Sequence, residues 1–220
     1  ISAVALSDDQ ALVAFLKNRG GWDVAVVKVD LSNGNIISES RGNFIVSGNQ
    51  TEPQLTTLAD GKVLLTWQKD SSKTELVARL LDADGSFTTL DVNLGIEGFK
   101  HEVCAIDDGG FIVTHRDGDS IKASLFDSSL DLIGTTDSVL ERPFSSYRTP
   151  TSNIWESKFH VLALNDSVEL YETTINLNNK PSGLFSISGV SAEYEQLSIL
   201  NTLTDANGID PNNSAIQWYA

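Results

Sequence analysis

The sequence lacks methionine, and Cys104 is its single cysteine among 220 residues. One cysteine cannot form an internal disulfide, so covalent cross-links do not stabilise the chain from within. Histidine is scarce as well, with three residues, and neither a His-Glu-x-x-His nor a paired Cys-x-x-Cys pattern occurs. The common zinc motifs are therefore excluded. A phosphate-binding loop and a Gly-x-Ser-x-Gly nucleophile elbow are also missing from the sequence.

Long apolar runs and positive charge are in short supply. The sequence nowhere contains eighteen consecutive apolar residues, so it predicts no membrane span. Fifteen basic residues face thirty acidic ones, which gives a formal charge of −15. Such a surface repels a phosphate backbone, and we expect no nucleic-acid partner. Because the sequence opens at Ile1 without an initiator, we expect a processed chain or a fragment of a longer one.

What the sequence does contain is a repeat of about fifty residues. An apolar strand recurs four times, followed each time by a polar loop, a second strand and a turn rich in Asp or Asn. The apolar strands end at Phe15, Trp67, His115 and Leu164, at intervals of 52, 48 and 49 residues. A similar strand at 215–219 follows about one period later. The repeats are 1–53, 54–102, 103–150 and 151–197, with a partial repeat at 198–220.

Two further strands complete each repeat. One precedes an Asp-Gly turn, as Gln54 to Leu58 precedes Asp60-Gly61, because these turn residues tolerate positive φ. Another follows the Asp- or Asn-rich turn, as Phe87 to Leu90 follows Asp82 to Gly85. No window has helical periodicity. The sequence thus predicts an all-β, β-propeller-like domain of about four and a half repeats with four-stranded antiparallel blades. A β-solenoid and a two-sheet sandwich are the competing folds.

A sheet of this kind has two apolar faces, so it requires a neighbour on each side. We expect the apolar strands to be the inner strands of their blades, covered on both faces. The residues Phe15, Trp67, His115 and Leu164 are then expected between blades. Because the fifth repeat is incomplete, its free strand edges predict self-assembly or a protein partner that completes the sheet.

A resemblance to a known class of repeats rests on two stretches. Residues 58–67, Leu-Ala-Asp-Gly-Lys-Val-Leu-Leu-Thr-Trp, are followed by residues 79–85, Arg-Leu-Leu-Asp-Ala-Asp-Gly, and residues 106–115 vary the first stretch with His in place of Trp. These resemble the repeats of extracellular β-propeller proteins, many of them large secreted or surface proteins. The resemblance implies a propeller architecture and an extracellular or cell-surface location, and it implies no activity.

Calcium is the cofactor that the acidic turns suggest. Asp82, Asp84, Asp117 and Asp119 place oxygen ligands on turns, as a hard cation requires. The alternative is purely conformational, since Asp and Asn favour tight turns without any ion. We favour the conformational interpretation, and beyond calcium the sequence suggests no cofactor.

Aromatic and amide side chains supply the other candidate sites. Trp22, Trp155 and Tyr147 beside Arg148 are candidates for stacking on a sugar ring, although packing between blades is the interpretation we favour for these aromatic residues. Three triplets fit the glycosylation pattern, at Asn49, Asn165 and Asn212.

The prediction for function is a non-catalytic scaffold module of an extracellular or surface protein, because no catalytic constellation stands out. A carbohydrate-binding, lectin-like propeller is the alternative, with glycans as ligands. A glycoside hydrolase with paired carboxylates is the third hypothesis.

Overall fold

The computed structural model describes residues 1–70, 74–107, 109–118, 120–136, 140–141, 151–155, 158–164, 170–176, 185–188 and 198–201. Within these residues every regular element is a β-strand. The strands in chain order are β1 (Ser2–Ser7), β2 (Gln10–Asn18), β3 (Trp22–Asp30), β4 (Ile36–Arg41), β5 (Asn49–Thr57), β6 (Val63–Asp70), β7 (Thr74–Leu81), β8 (Val92–Glu97), β9 (Phe99–Ala105), β10 (Phe111–Asp117), β11 (Ser120–Phe126), β12 (Leu132–Thr135), β13 (Leu140–Glu141), β14 (Thr151–Trp155), β15 (Lys158–Leu164), β16 (Leu170–Asn176), β17 (Phe185–Ser188) and β18 (Ser198–Asn201).

The strands form successive antiparallel meanders, each in chain order. Sheet 1 is β1-β2-β3-β4, sheet 2 is β5-β6-β7-β8, and sheet 3 is β9-β10-β11-β12 with β13 also paired to β11. A three-stranded sheet 4, β14-β15-β16, follows, and β17 pairs with β18. The prediction of an all-β, propeller-like fold with four-stranded antiparallel blades is confirmed.

The chain divides into two compact units, each with its own contacts. One consists of Ile1–Trp155 and Phe159–Thr174, and the other of Glu156–Lys158 and Ile175–Ala220. The predicted strand at 215–219 and the side chain of Leu164 lie outside the described residues. Across the described part of the chain, no helix is long and apolar enough to cross a membrane.

The Asp-Gly turns have the predicted geometry. Gly61 has φ +83°, and Leu58 and Lys62 close the turn through a backbone hydrogen bond of 2.8 Å. The same bond recurs in the next repeat between Ile106 and Gly110, at 3.0 Å. Because a side chain at positive φ is strained, glycine is the residue that suits this place in the hairpin.

The predicted fourth strand at Phe87 to Leu90 is wrong, since the fourth strand of sheet 2 is β8, further along the chain. Phe87 forms a single β-bridge with Leu81, and side chains then interrupt the pairing. Thr89 Oγ1 accepts a hydrogen bond from Leu80 N at 2.9 Å, in the place of the backbone carbonyl that would accept it in a strand pair. The Phe87 ring lies under the Arg79 guanidinium, 3.8 Å from the ring centroid. The segment therefore follows the sheet edge as a loop before β8 begins.

Both faces of sheet 2 are buried, as stacking of blades requires. One face packs on sheet 1 through a cluster that we call seam 1/2, made of Leu12, Ala14, Val24, Val26, Leu55, Val63, Leu65, Trp67, Val77 and Leu81. The other face packs on sheet 3 through seam 2/3, made of Leu58, Leu64, Leu76, Ala78, Leu80, Leu94, Ile96, Val103, Phe111, Val113, Phe126 and Leu130. Alternating residues of β6 thus point into different seams, which follows from the period of two along a strand.

The residues at the ends of the apolar strands are placed as expected in two repeats. Trp67 is fully buried in seam 1/2, and its Nε1 donates to Gln50 Oε1 at 2.8 Å. His115 is buried at the corresponding position of sheet 3, where Gly98 replaces Gln50. A Cβ on Gly98 would lie 2.7 Å from His115 Nδ1 and 2.6 Å from Arg116 O. Phe15 is half-buried.

The apolar strands β2, β6 and β10 are second strands, so the prediction that they are the inner strands is wrong. The strands that meet their counterparts in neighbouring blades are β1, β5, β9 and β14. The first strand of a blade contacts the first strands of the neighbouring blades, where polar side chains can pair with one another. It therefore carries more polar residues than the second strand of the same blade. The second strand has a blade on each face and is therefore the apolar one.

Arg79 joins sheets 1 and 2 from a nearly buried position. Its Nη1 donates to Gly42 O of the first repeat at 2.8 Å, and its Nε donates to Thr89 O at 2.9 Å. The carboxylate of Asp91 lies 3.9 Å from Arg79 Nε and accepts from Phe44 N at 2.8 Å. Burial lowers the pKa of Arg79, and the charge of Asp91 opposes that effect. The guanidinium thus satisfies carbonyls that strand pairing leaves open.

Replacing Trp67 by Phe tests the seam. The change keeps an aromatic ring but removes the donor to Gln50, whose buried amide oxygen then has no partner, so we expect a loss of about 1–3 kcal/mol in the free energy of unfolding. Trp22→Phe, on a tryptophan that is 45% exposed, is the control and should change stability by less than about 0.5 kcal/mol. Urea denaturation followed by circular dichroism measures both; equal effects would contradict the seam.

Candidate active site

The inner strands are joined by hydrogen bonds that involve side chains. Leu55 N of β5 donates to Ser2 Oγ of β1 at 2.9 Å, and Gln54 Nε2 donates to His101 O of β9 at 2.6 Å. Cys104 Sγ donates to Ser152 O of β14 at 3.1 Å. Neighbouring inner strands belong to different sheets, so side chains make the bonds that a strand ladder would otherwise supply.

Two bulges distort these strands in the same way, one repeat apart. Glu52 has φ +50° and Lys100 has φ +54°, and the strand register shifts beside each of them. The two residues are 48 residues apart, the interval that also separates Trp67 from His115. A positive φ raises the conformational energy of a residue other than glycine, and such backbone strain concentrates at functional sites. Lys100 Nζ donates to Glu52 Oε1 at 2.5 Å across the two blades.

A cavity of about 410 Å³ lies along the inner strands, beside the start of β1 and the middle of β5 and β9. Its walls come from the first three repeats: Ile1, Ser2, Glu52, Pro53, Gln54, Leu55, Thr56, Glu102 and Val103. Two carboxylates, Glu52 and Glu102, belong to this wall. The cavity has the concave form and the convergent polar groups of a ligand site.

Glu102 is the half-buried carboxylate of the pair. Burial raises its pKa, and the only opposing influence is a hydrogen bond from Gln54 Nε2, 3.4 Å from Glu102 Oε2. A carboxyl group whose pKa is raised keeps its proton to higher pH, as a general acid must. Glu52 has a different environment, since it is ion-paired with Lys100.

His101 lies behind Glu102 and is completely enclosed. Its Nε2 is 3.0 Å from Thr66 Oγ1, and its Nδ1 is 3.5 Å from the amide nitrogen of Gln68. Because an amide nitrogen only donates, Nδ1 accepts and the ring proton is on Nε2. Burial lowers the pKa of His101 to about 3, with a smaller contribution from His115. The ring is therefore neutral and holds the second strand of sheet 2 against β9.

The sequence-predicted sugar residues are dispersed. Trp22 is the first residue of β3 and is not part of the cavity wall. Trp22 N donates to Asn49 Oδ1 at 3.2 Å, which brings two predicted residues together. Tyr147 and Arg148, Asn165 and Asn212, and the side chain of Trp155 lie outside the described residues.

The predicted calcium residues are on separate turns. Asp84 Oδ1 accepts from Ser86 N at 2.8 Å, a hydrogen bond that lowers the pKa of Asp84 and stabilises the turn. Asp82 begins the same turn, which is not part of the cavity wall. Asp117 Oδ2 accepts from Lys122 Nζ at 2.6 Å, and Asp119 lies outside the described residues. Among the residues described, no three or more His, Cys, Asp or Glu side chains are grouped to hold a metal.

Sequence reasoning missed Glu52, Lys100 and Glu102. A signal was present, because Gln54 and Glu102 are separated by the same 48 residues as Glu52 and Lys100. Glu52 and Gln54 precede β6 by the same numbers of residues as Lys100 and Glu102 precede β10. The positive φ values and the contact between blades were not readable, since neither residue type favours that backbone conformation.

No family model matches the sequence, and no curated protein matches it. Solved structures, in contrast, align with this chain. An arabinanase of Bacillus subtilis aligns with a TM-score of 0.57 at 13% identity, over 79% of this chain and 70% of that one. A GH43_1 enzyme from Xanthomonas citri complexed with xylotriose aligns with a TM-score of 0.52 at 12% identity, over 80% and 68%.

A xylan β-1,4-xylosidase from Bacillus halodurans aligns with a TM-score of 0.51 at 16% identity, over 76% of this chain but 37% of that one. The chain therefore spans about two thirds of the first two enzymes and well under half of the third. At these identities the similarity shows the β-propeller fold.

The neighbours contradict the prediction of a non-catalytic scaffold module, and its lectin-like alternative with it. The solved structures named above are glycoside-cleaving enzymes, and none is a scaffold protein. The sequence-level interpretation failed because it looked for short catalytic motifs. In this fold the carboxylates that share a cavity come from different repeats.

The buried histidine predicts a pH effect on stability. The unfolded chain binds a proton at His101 below pH about 6.5, whereas the folded chain does so only near pH 3, so stability falls as pH drops through that window. We expect His101→Gln to flatten this fall, with a remainder from His115, whose pKa burial also lowers. Urea unfolding across the pH range measures the slope; identical slopes for the two proteins would contradict the burial of His101.

Proposed function

We propose that this chain is the propeller of a carbohydrate-active enzyme that hydrolyses glycosidic bonds in the cavity between its inner strands. The observation that carries the proposal is the pair of carboxylates in one wall, Glu52 and Glu102, in different environments. Glycoside hydrolysis requires one carboxyl group that donates a proton and a second that acts as the ionised partner. The fold shared with arabinanase and xylosidase structures supports the same class of reaction.

Glu102 is the general acid in this proposal. Its raised pKa suits proton donation to the glycosidic oxygen as the bond to the leaving sugar breaks. The hydrogen bond from Gln54 restricts the orientation of the carboxyl group without supplying a charge. After the sugar departs, Glu102 regains its proton from the water that replaces the leaving group.

Glu52 is the second carboxylate of the mechanism. Its ion pair with Lys100 places a positive charge beside it, and the positive φ at both residues restricts the direction of the two side chains. The carboxylate either activates a water molecule or attacks the anomeric carbon, the two courses that glycosidases follow. Polymeric glycans occur outside cells, which supports the predicted extracellular or surface location.

The general acid is tested with Glu102→Gln, which keeps the shape of the side chain but cannot give up a proton in the same way. We expect hydrolysis of plant-type polysaccharides, such as arabinan and xylan, to fall by about 10² to 10⁴. Glu75→Gln is the matched control, because Glu75 is ion-paired with Lys69 and is not in the cavity wall. Reducing-end release measures both variants, and full activity of Glu102→Gln would refute its role.

The pH profile provides a separate test. Glu102 acts in its protonated form, so activity should decline as pH rises through its raised pKa. Gln54→Leu removes the one hydrogen bond that lowers this pKa, so the decline should move to higher pH. The profile of kcat/KM against pH measures the shift, and a move to lower pH would contradict the assignment.

A further inference from the structure

A second cavity, of about 380 Å³, lies where sheet 1 meets the start of β5. Its walls come from the loop between β2 and β3, the end of β4, and the connection into sheet 2: Arg19, Gly20, Gly21, Asp23, Arg41, Val46, Gly48 and Asn49. It lies at the sheet edge where β5 begins, and β5 continues from there into the wall of the proposed active site.

The charge of this cavity is opposite to that of the rest of the chain. Arg19 and Arg41 supply two positive charges, and Asp23 supplies one negative charge. Asp23 is buried, accepts from Asn43 Nδ2 at 2.9 Å, and lies 3.3 Å from Arg41 Nη2. The wall thus has a net positive charge in a chain of net charge −15. The active-site wall has Glu52 and Glu102 and no basic side chain.

Both guanidinium groups retain donors. Arg19 Nη2 donates to Glu39 Oε1 at 2.8 Å, and a guanidinium has five N–H donors in all. Arg41 pairs with Asp23 from a side chain that is 43% exposed. A planar fork of N–H groups matches a carboxylate, which it binds through two parallel hydrogen bonds. The three wall glycines leave room for a ligand larger than a small anion.

One net positive charge suits a ligand with a single negative charge. A phosphate or sulfate with two charges would leave excess negative charge beside buried Asp23, whereas a carboxylate balances the wall. A sugar acid has that charge together with hydroxyl groups that can use the glycine backbone and the amide of Asn49.

The two cavities share a strand. Asn49 is in the wall of the second cavity and Glu52 in the wall of the first, three residues apart in β5. At about 3.3 Å per residue, these positions are about 10 Å apart along the strand. One oligosaccharide can therefore reach both.

We propose that the second cavity binds the carboxylate of a uronic acid residue, and that the polysaccharide cleaved in the first cavity is an acidic one that carries such residues. The second statement rests on the proposed function, and the first does not. Arg19 and Arg41 form the two sides of the carboxylate site, and Asn49 contributes an amide.

Isothermal titration with glucuronate tests the site without any turnover. Glucuronate should bind at least about tenfold more tightly than glucose and than acetate, and its affinity should fall as salt rises. Arg19→Gln and Arg41→Gln should each weaken glucuronate about tenfold. Lys17→Gln is the matched control, since Lys17 pairs with the same Glu39 but is not in the wall, and it should stay within about twofold.

Three results would overturn the site: no binding of glucuronate, equal binding of acetate, or the same loss with Lys17→Gln. If an Arg-to-Gln variant does not fold by circular dichroism, Arg41→Lys keeps the charge and removes the fork, and it should still weaken binding several-fold. Glu102→Gln should bind glucuronate normally. If that variant loses turnover but still binds glucuronate, the carboxylate site is independent of the proposed hydrolysis. Equal kcat/KM on neutral xylan and on uronate-bearing xylan would refute the assignment of an acidic substrate.

Discussion

Sheet 2 has two apolar faces, and water cannot cover either of them without a large cost in free energy. Sheet 2 satisfies the constraint by packing on sheet 1 through Trp67 and its neighbours and on sheet 3 through Leu64 and its neighbours. No single sheet is stable apart from the others, so the stability of each seam depends on the next sheet along the chain. The remaining features follow from this arrangement.

Where the seams reach the sheet edges, polar groups need partners that the ladders do not supply. Arg79 satisfies carbonyls of two repeats, and Gln50 accepts from Trp67 within seam 1/2. Gln54, Ser2 and Ser152 bridge the inner strands. The first cavity lies among the inner strands and is lined by residues of three repeats, and the second lies where sheet 1 meets the start of β5.

The electrostatics of the two cavities differ for a local reason. Inner strands β5 and β9 bring Glu52 and Glu102 together, with burial raising the pKa of Glu102. The outer walls of sheet 1 bring Arg19 and Arg41 together around a buried aspartate. Net charge therefore describes the solubility of the chain but not the chemistry of either site. Strand pairing decides which charges become neighbours.

The fold was largely readable from the sequence, but the site was not. The spacing of Trp67 and His115, the Asp-Gly turn at Gly61 and the apolar second strands predicted antiparallel meanders that stack. The loop around Phe87 was misread as a strand: it pairs with β7 through a single β-bridge and one backbone hydrogen bond to Leu80, and side chains of Thr88 and Thr89 make the other bonds to Leu80. The calcium, glycosylation and partner assignments stay predictions.

By itself, the sequence determined the repeat, the strand class and the need for stacking, since these depend on periodicity and turn chemistry within each fifty-residue unit. Only the tertiary structure decided which strand is innermost and which residues share a cavity. Glu52 and Lys100 become partners because two bulges at positive φ turn them toward each other across separate blades. A contact of that kind depends on how neighbouring sheets pack, and local sequence preference carries no record of it.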